Sequence, residues 1–293
     1  MTKISFIKFQ NILKSYWLFF LPHHLFSRFT YIITRTSHPL TGYLIKLYIK
    51  IFKVNMNECI ESDISKYKTF CDFFTRKLKP GIHKIDKSNQ SIVSSCDGKI
   101  LEFGNIKNDS IVQVKGKLIK IAELLDNDNS SIKSFENGSF ASIYLSPKDY
   151  HRVHMPYKGK LSKTIHVPGR LYSVAKHAVT SIKNLYSRNE RLACNFKGAD
   201  INFSVIFIAA INVSSIETVW KGEASPPYPK KTIRTSYDKK KIVLEKGNEL
   251  GMFKTGSTVI LLFDKRIDFL QSLKKGKNIR VGNRIGKISS KIL

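Results

Sequence analysis

Gly251-Met-Phe-Lys-Thr-Gly-Ser-Thr-Val-Ile-Leu-Leu-Phe263 is the segment that carries the strongest local signal in the chain. Its last five residues, 259–263, form a continuous apolar run, and such a run after a glycine turn predicts a buried strand. Ser257 stands between Gly256 and this strand, so its hydroxyl has a fixed place beside a flexible peptide bond. Because Gly-Ser-Thr is common at strand starts, an ordinary turn is the simpler interpretation of these residues alone.

Other short apolar or alternating runs follow residue 80, separated by glycine and asparagine turns. This pattern of short runs separated by turn residues predicts a largely antiparallel β core. A short helix is expected over residues 172–179. The basic segment 228–241 follows Pro226-Pro227 and is predicted to be a solvated, mobile loop. The predicted strands lie within residues 100–103, 111–114, 140–145, 201–213, 241–244, 259–263 and 279–281.

The first 80 residues are predicted to be mainly helical and to dock on a membrane. No acidic residue precedes Glu58, and an aromatic cluster occupies residues 16–20. In residues 44–53, Lys46, Lys50 and Lys53 fall within roughly 60° of one another on a helix, opposite an apolar arc. This pattern is typical of a helix lying in a membrane interface. The alternative is a helix packed on the protein's own core with its lysines in water.

Charge points to a polyanionic partner. The chain has 50 Lys and Arg against 22 Asp and Glu, a net charge of +28, which favours nucleic acid or an anionic membrane surface. The abundance of Lys, Ile and Asn indicates that compositional bias explains part of the excess. The longest early apolar run, residues 16–21, is too short for a membrane span or a signal-peptide core. We therefore expect the protein on the cytoplasmic side.

The four cysteines do not suggest a metal or disulfide site. They are widely spaced without a C-x-x-C pair, which predicts reduced thiols. His151 and His154 have a spacing that could hold a metal on a helix. Flanking prolines make such a helix improbable, and no glutamate completes the metalloprotease pattern, so no metal site is predicted.

Three residues could form an acid–base–nucleophile relay. Asp97 lies in Ser94-Ser-Cys-Asp-Gly-Lys-Ile100, where Asp-Gly alone would indicate only a turn. His154 lies in Tyr144-Leu-Ser-Pro-Lys-Asp-Tyr-His-Arg-Val-His-Met-Pro156. Together with Ser257 they supply a carboxylate to orient an imidazole, an imidazole to take a proton and a hydroxyl to attack.

These motifs resemble those of the phosphatidylserine decarboxylase family. The resemblance covers nearly the whole chain in order, and its most specific parts are the 144–156 and 256–263 segments. Two departures are Ser95, where the family often has proline, and Thr255 before Gly256, a position that varies. The other matching segments are residues 52–56, Thr69-Phe-Cys-Asp-Phe-Phe-Thr-Arg76, 96–98, His166-Val-Pro-Gly-Arg-Leu-Tyr-Ser-Val174 and 210–213.

The resemblance implies a proenzyme that cuts itself between Gly256 and Ser257 into a β chain, residues 1–256, and an α chain, residues 257–293. By the family pattern Asp97 orients His154, which deprotonates Ser257 for an N-to-O acyl shift. Elimination then leaves a pyruvoyl group, the covalent cofactor, at the new N-terminus. A Schiff base on that group would decarboxylate phosphatidylserine to phosphatidylethanolamine. His151 would engage the substrate or return a proton to Cα.

The expected architecture is an α+β fold, with membrane-docking helices in residues 1–80 and a mostly antiparallel, β-rich catalytic domain in residues 81–293. The expected partners are phosphatidylserine, an anionic membrane surface and the two chains of one precursor, with no nucleic acid; homo-oligomer formation is left open. The expected location is the cytoplasmic face of the bacterial inner membrane.

Two other functions remain as alternatives. A membrane-associated serine hydrolase would use the same three residues on an external ester and would stay uncut. A nucleic-acid-binding protein would account for the +28 charge. The chain has no zinc-finger spacing and no aromatic strand motif for RNA, and this second alternative leaves the ordered motifs unexplained.

Overall fold

Helices occupy mainly the N-terminal part of the chain and the connections between strands. A computed structural model describes residues 23–114, 116–210, 215–226, 228–254 and 257–290. A 3₁₀ helix covers Ile64–Lys66. The α-helices are α1 (His23–Arg35), α2 (Thr41–Phe52), α3 (Phe70–Phe74), α4 (Ile121–Leu124), α5 (Asn129–Phe135), α6 (Lys176–Ser181) and α7 (Leu185–Arg188).

Short strands account for most of the regular secondary structure described after residue 90, as the alternating and apolar runs predict. They are β1 (Ser91–Val93), β2 (Gly98–Asn105), β3 (Ser110–Val114), β4 (Lys117–Lys120), β5 (Ser139–Leu145), β6 (Arg152–His154), β7 (Gly159–Val167), β8 (Arg191–Lys197), β9 (Asn202–Ile208), β10 (Ile216–Thr218), β11 (Gly222–Ser225), β12 (Ile233–Ser236), β13 (Val243–Leu244), β14 (Glu249–Phe253), β15 (Ser257–Phe263), β16 (Ile267–Phe269), β17 (Asn278–Ile279) and β18 (Arg284–Ile288).

The largest sheet has nine strands, with the order β12-β7-β8-β9-β15-β5-β2-β17 and β13 paired beside β12 on β7. Strand β15 is central, and all seven of its residues are buried. It pairs antiparallel with β5 on one side and β9 on the other. The apolar run that the sequence predicts as a core strand is therefore confirmed, and the strand begins at Ser257 itself.

Smaller sheets surround this one. A four-stranded sheet has the order β11-β10-β14-β6, a three-stranded sheet the order β1-β18-β16, and β3 pairs with β4. Strands β14 and β15 are consecutive in the chain, so the four-stranded sheet leads directly into the centre of the large one. The expected antiparallel β-rich core is confirmed, because every strand pair in these sheets is antiparallel.

Helices α2 and α3 and the 3₁₀ helix pack on a small apolar cluster around Ile45, Val54 and Phe73. Helix α3 starts with a capping box, in which Thr69 and Asp72 each bond to the other's backbone N–H. Helix α2 ends at Lys53, whose left-handed conformation returns its N–H to the carbonyl of Ile49. The first of these caps fixes the start of α3, and the second fixes the end of α2.

The prediction of helix throughout residues 1–80 is only partly right. Residues 1–22, including the aromatic cluster, lie outside the described part of the chain. Residues 36–40, 53–63 and 75–80 are not α-helical. In α2, Ile45 is buried, whereas Leu44, Leu47 and Ile51 are exposed, so the apolar arc is divided between the protein's core and its surface. No helix within the described ranges is long and apolar enough to span a bilayer.

Three local predictions need correction. The segment predicted as a mobile basic loop contains β12, which pairs with β7 from Ile233–His166 to Ser236–Lys163. The short helix begins at Lys176 rather than at residue 172. The strand predicted over 201–213 ends at Ile208, and residues 211–213 lie outside the described ranges.

Candidate active site

Asp97, the turn that leads to His151, and Ser257 lie at one end of the nine-stranded sheet. Strand β15 begins at Ser257, opposite Leu145 at the end of β5. Strand β2 begins at Gly98, beside the same end of β5, and β9 ends next to the start of β15. Because neighbouring strands are antiparallel, the residue before β2, the turn after β5 and the first residue of β15 lie at a common edge.

Ser257 lies in the buried interior at this edge. Its side chain is completely inaccessible, and Oγ has no hydrogen-bond partner among the described residues. A buried hydroxyl without a partner is unusual and often marks a chemical role. The predicted cleavage-site residue Gly256, like Thr255, lies outside the described residues.

The turn after β5 positions His151. The carboxylate of Asp149 accepts hydrogen bonds from the backbone N–H of Ser146, at 2.7 Å, and from its hydroxyl, at 2.6 Å, which closes the turn. The carbonyl of Asp149 then lies 2.8 Å from Nδ1 of His151. A carbonyl only accepts, so Nδ1 carries the proton and Nε2 the lone pair. Nε2 is buried and has no partner within the described residues.

His154 is held in β6 with its own tautomer fixed. Its Nδ1 lies 2.8 Å from the carbonyl oxygen of Gly247, so Nδ1 donates and Nε2 is the basic nitrogen. Nε2 is 3.3 Å from the hydroxyl of Tyr150. The backbone N–H of His154 donates to the carbonyl of Ser95 at 2.7 Å, which ties the strand to the segment before β2. His154 is therefore oriented to act as a base.

Asp97 is buried on the other side of this group. Its Oδ1 accepts a hydrogen bond from the backbone N–H of Val281 at 2.8 Å and lies 2.9 Å from Nε2 of His83. Nε of Arg280 is 4.0 Å from Oδ2. The next residue must be glycine, because a Cβ on Gly98 would overlap a backbone carbonyl oxygen of β5.

The structure brings Asp97 and His154 into one cluster, with His83 and Tyr150 between them. The ring of His83 is 5.2 Å from that of Tyr150 and 6.2 Å from that of His154. Among the described contacts, none joins the Asp97 carboxylate to the His154 imidazole, and none joins either to Ser257. Asp97 is held by the backbone N–H of Val281 and contacts His83, and Gly247 orients His154.

Burial controls the protonation of the site. It lowers the pKa of His151 to about 3, with the nearby Arg76 cation adding to the effect. Burial also lowers the pKa of His154, against the opposing effects of the Gly247 carbonyl and of Glu249. Burial raises the pKa of Tyr150. At neutral pH both histidines are therefore neutral, and the tyrosine keeps the proton it presents to His154.

Sequence reasoning missed His83 and Arg76. His83 lies in a loop outside every recognised motif, and only its place beside Asp97 in space reveals it. Arg76 ends a recognised motif, but its burial could not be read from the pattern. In the described part of the chain, no group of three or more His, Cys, Asp or Glu side chains could hold a metal ion.

Comparison with known proteins identifies similar sequences over most of the chain. The sequence model of a family described as phosphatidylserine decarboxylase matches residues 70–287. A phosphatidylserine decarboxylase proenzyme of Alkalilimnicola ehrlichii is 44% identical over 256 residues, which cover 87% of this chain and 89% of the relative. The proenzyme of Methylococcus capsulatus is 40% identical over 92% of this chain and 94% of its own length. That of Azotobacter vinelandii is 40% identical over 92% and 96%.

Proposed function

The chain belongs to the phosphatidylserine decarboxylase family and converts phosphatidylserine to phosphatidylethanolamine, and we propose that it does so with a pyruvoyl group made from its own Ser257. The observation that carries this proposal is the environment of Ser257. Its hydroxyl is fully buried, has no partner among the described residues, and opens the central strand directly after the predicted scissile bond.

The residues around Ser257 fit the formation of that group. We assign the base to Nε2 of neutral His154, which takes the hydroxyl proton as Oγ attacks the carbonyl carbon of residue 256. The C–N bond breaks, the proton passes to the nitrogen of Ser257, and an ester replaces the amide. Loss of the Cα proton and cleavage of the Cβ–O bond release the upstream chain as a carboxylate. The remaining dehydroalanine tautomerises, takes up water and loses ammonia.

The pyruvoyl group supplies a carbonyl that binds the substrate amine and accepts the electron pair of the breaking bond to the carboxylate. The chain's own contribution includes His151. Its Nε2 has a free lone pair, so it can accept a hydrogen bond, and it has no partner among the described residues. Burial and Arg76 lower the pKa of His151 and keep this nitrogen unprotonated. We propose that this lone pair accepts a hydrogen bond from the substrate amine and orients it toward the pyruvoyl carbonyl.

Asp97 belongs to this site as a positioning group. It is fixed by Val281 and His83 rather than by direct contact with His154. Its negative charge favours the protonated form of His154, although burial outweighs this effect on the pKa. We propose that Asp97 stabilises the imidazolium that forms when His154 takes the Ser257 proton.

The substrate is a lipid, and we propose that helices α1 and α2 hold the protein on an anionic membrane. Lys46, Lys50 and Lys53 are exposed on α2 and can contact anionic headgroups. This combination of basic and apolar side chains supports peripheral attachment to the cytoplasmic face of the inner membrane. The large exposed apolar side chains on the two helices and their connection are Phe29, Ile32, Ile33, Leu40, Tyr43, Leu44, Leu47, Ile51 and Phe52.

A vesicle assay tests the membrane proposal. Leu47 and Ile51 are exposed, so changing both to Glu should leave the fold intact. We expect the double variant to lose most of its flotation with vesicles containing phosphatidylserine, while self-cleavage is retained. Unchanged flotation would show that these helices do not form the membrane contact.

Intact-mass measurement under denaturing conditions tests the proposed cofactor. We expect two species, one matching residues 1–256 and one matching residues 257–293 less one ammonia. Ser257→Ala should give a single full-length species. Ser204→Ala is the matched control, because Ser204 is also fully buried with an unpartnered hydroxyl, in the adjacent strand β9.

A wild-type protein that stays uncut while reacting with serine-directed phosphonates would refute the proposal in favour of a serine hydrolase. Cleavage of both the wild type and the Ser204→Ala variant, but not of Ser257→Ala, would support it.

A further inference from the structure

Arg76 is a buried cation without a carboxylate partner among the residues that the structure describes. It is 5% exposed, and its Nη2 donates to the carbonyls of Lys148, at 2.9 Å, and Asp149, at 3.3 Å. Those two bonds fix the guanidinium against the turn that follows β5. Nε and Nη1 are also buried, and neither has a hydrogen-bond partner among the described residues.

Arg152, which is partly buried, and Arg191, which is fully buried, have the partners that Arg76 lacks. Arg152 bonds to Glu249 at 2.6 Å and to the carbonyl of Thr75 at 3.0 and 2.8 Å. All three guanidinium nitrogens of Arg191 bond to backbone carbonyls. No carboxylate in the described residues lies within 4.0 Å of Arg76. A buried guanidinium in this state is costly unless an anion joins it.

The nearest candidate within the protein is a thiol, which does not supply that anion. Arg76 interacts with the side chain of Cys59, and burial raises the pKa of this thiol although Arg76 opposes the effect. The thiol therefore stays neutral at physiological pH. The face of Phe73 covers the guanidinium at 5.4 Å, which stabilises a cation without neutralising it.

Arg76 lines a pocket of about 300 Å³ that suits an anion. Lys53, Lys148 and Arg280 also line it. Its three acidic residues are occupied within the protein. Glu58 pairs with Arg280, Asp149 bonds to the turn at Ser146, and Asp97 bonds to Val281 and contacts His83.

The pocket lies between the apolar helices and the catalytic group. On one side, Lys53 ends α2, whose Leu47 and Ile51 are exposed. On the other side, Asp97 and Tyr150 form part of the wall. A phospholipid has the same order of parts: acyl chains, then a phosphodiester, then the serine headgroup. We propose that the pocket at Arg76 binds the phosphodiester of the lipid substrate.

Chemistry favours the phosphate over the substrate carboxylate at this position. The carboxylate must lose its charge as CO2 leaves, so a cation bound to it would stabilise the starting state and slow the reaction. The phosphodiester keeps its charge throughout. Its two non-bridging oxygens can also accept two parallel hydrogen bonds from the N–H groups of a guanidinium. The assignment rests on the proposed function and adds the residue that recognises the headgroup.

The test compares Arg76→Met with Arg234→Met, an exposed arginine that pairs with Asp126 far from the pocket. Both variants are assayed for self-cleavage and for decarboxylation of phosphatidylserine. They are also assayed on the methyl phosphotriester of phosphatidylserine, which is similar in shape but has no charge on its phosphate. We expect Arg76→Met to cleave itself normally and to lose ~10- to 100-fold in kcat/KM on the diester, mostly through KM, as loss of a charge-assisted hydrogen bond implies. Its preference for diester over triester should largely disappear.

Equal losses on both substrates, which would leave the preference for the diester unchanged, would overturn the assignment and indicate a purely structural arginine. If Arg76→Met does not fold, the same assays on Arg76→Lys test the phosphate site. A competition experiment on the wild type tests it without any substitution. Inorganic phosphate, against chloride at equal ionic strength, should raise the apparent KM of the wild type for phosphatidylserine. Glycerophosphoserine, which lacks the acyl chains, should compete more strongly than phosphate if the whole headgroup binds there.

Failure of these effects in an active wild type refutes the phosphate site alone. A wild type that neither cleaves itself nor decarboxylates phosphatidylserine refutes the proposed function instead.

Discussion

Glu223 connects helix α1 to the segment that precedes Ser257, and its replacement should release the helix. Its carboxylate lies 2.5 Å from Nη2 of Arg35 and 2.7 Å from Nζ of Lys254, and it accepts a hydrogen bond from Tyr31 at 3.1 Å. Burial raises the pKa of Glu223, but the two cations outweigh it and the net pKa is lowered. The carboxylate is therefore charged at neutral pH.

Glu223→Gln keeps the size of the side chain and removes its charge. The side chains of Glu223 and Arg35 are 28% and 21% exposed, so solvent weakens the pairs but does not cancel them. We expect a loss of ~1–2 kcal/mol in the docking of α1, which corresponds to a ~5- to 30-fold larger open population. Lys254 keeps its second partner, Glu217, at 2.8 Å, so self-cleavage should change little.

Hydrogen–deuterium exchange with mass spectrometry measures this opening directly. Peptides from α1 should exchange faster in Glu223→Gln, while peptides from β15 should not change. The matched control is Glu245→Gln, because Glu245 pairs with Lys158 at 2.7 Å but both side chains are about 60% exposed. Equal exchange of α1 in the two variants, or faster exchange of the whole protein, would refute the reasoning.

Three further predictions concern the site and its supporting backbone. The rate of self-cleavage should fall with decreasing pH only below the usual pKa range of histidine, because burial lowers the pKa of His154 and the base must be unprotonated. A gel-based time course at several pH values measures this rate. A loss of rate already above pH ~6.5 would contradict the prediction. Gly98→Ala should destabilise the protein by ~2–4 kcal/mol, since its Cβ would overlap a carbonyl oxygen. Gly42→Ala, in an open helical position, should stabilise it by ~0.5–1 kcal/mol. Thermal unfolding of both variants in the uncut Ser257→Ala form compares them, and equal shifts in unfolding temperature would be evidence against the close approach at Gly98. His83→Ala should slow self-cleavage by ~10-fold or more, because Asp97 loses a partner at 2.9 Å; an unchanged rate would mean that Val281 alone holds the carboxylate.

The parts of the fold that could be predicted are those whose signal is local. Strand β15 is a continuous apolar run that starts after a glycine. Because the side chains on both faces of such a strand are apolar, it is stable only where both faces are buried. Strand β12 was missed because its sequence, Ile-Arg-Thr-Ser, lies among lysines, and only pairing with β7 makes it a strand. Its partner is more than sixty residues away, so the local pattern contains no trace of the pairing.

The helical region shows the opposite error. Apolar residues continue beyond α2, but Lys53 turns left-handed and the following residues pack as an irregular segment. Helical periodicity cannot reveal where a cap ends the helix. The prediction that Lys46, Lys50 and Lys53 share a stripe fits their common exposure, although half of the apolar arc packs inward.

Side-chain chemistry could be predicted as a set of residues but not as a set of contacts. Asp97 and His154 lie in one cluster, and Ser257 opens the central strand of the large sheet; their shared role in catalysis stays a prediction. Which group touches which depends on the loop carrying His83 and on the turn at Gly247. Neither has a sequence signal, because each is placed by strands that are distant in the chain.

The central position of β15 makes self-cleavage a one-way event for folding. The proposed cut falls immediately before this strand, so the short chain supplies the middle of the sheet while its neighbours β5 and β9 remain in the long chain. As one chain, the protein folds by a concentration-independent process. Once cut, the same sheet could re-form only by a second-order encounter between two fragments, and the short fragment would expose the apolar strand β15, which favours aggregation. The mature enzyme should therefore persist through slow unfolding rather than reversible stability, and denaturation should be irreversible for it but not for its uncut precursor.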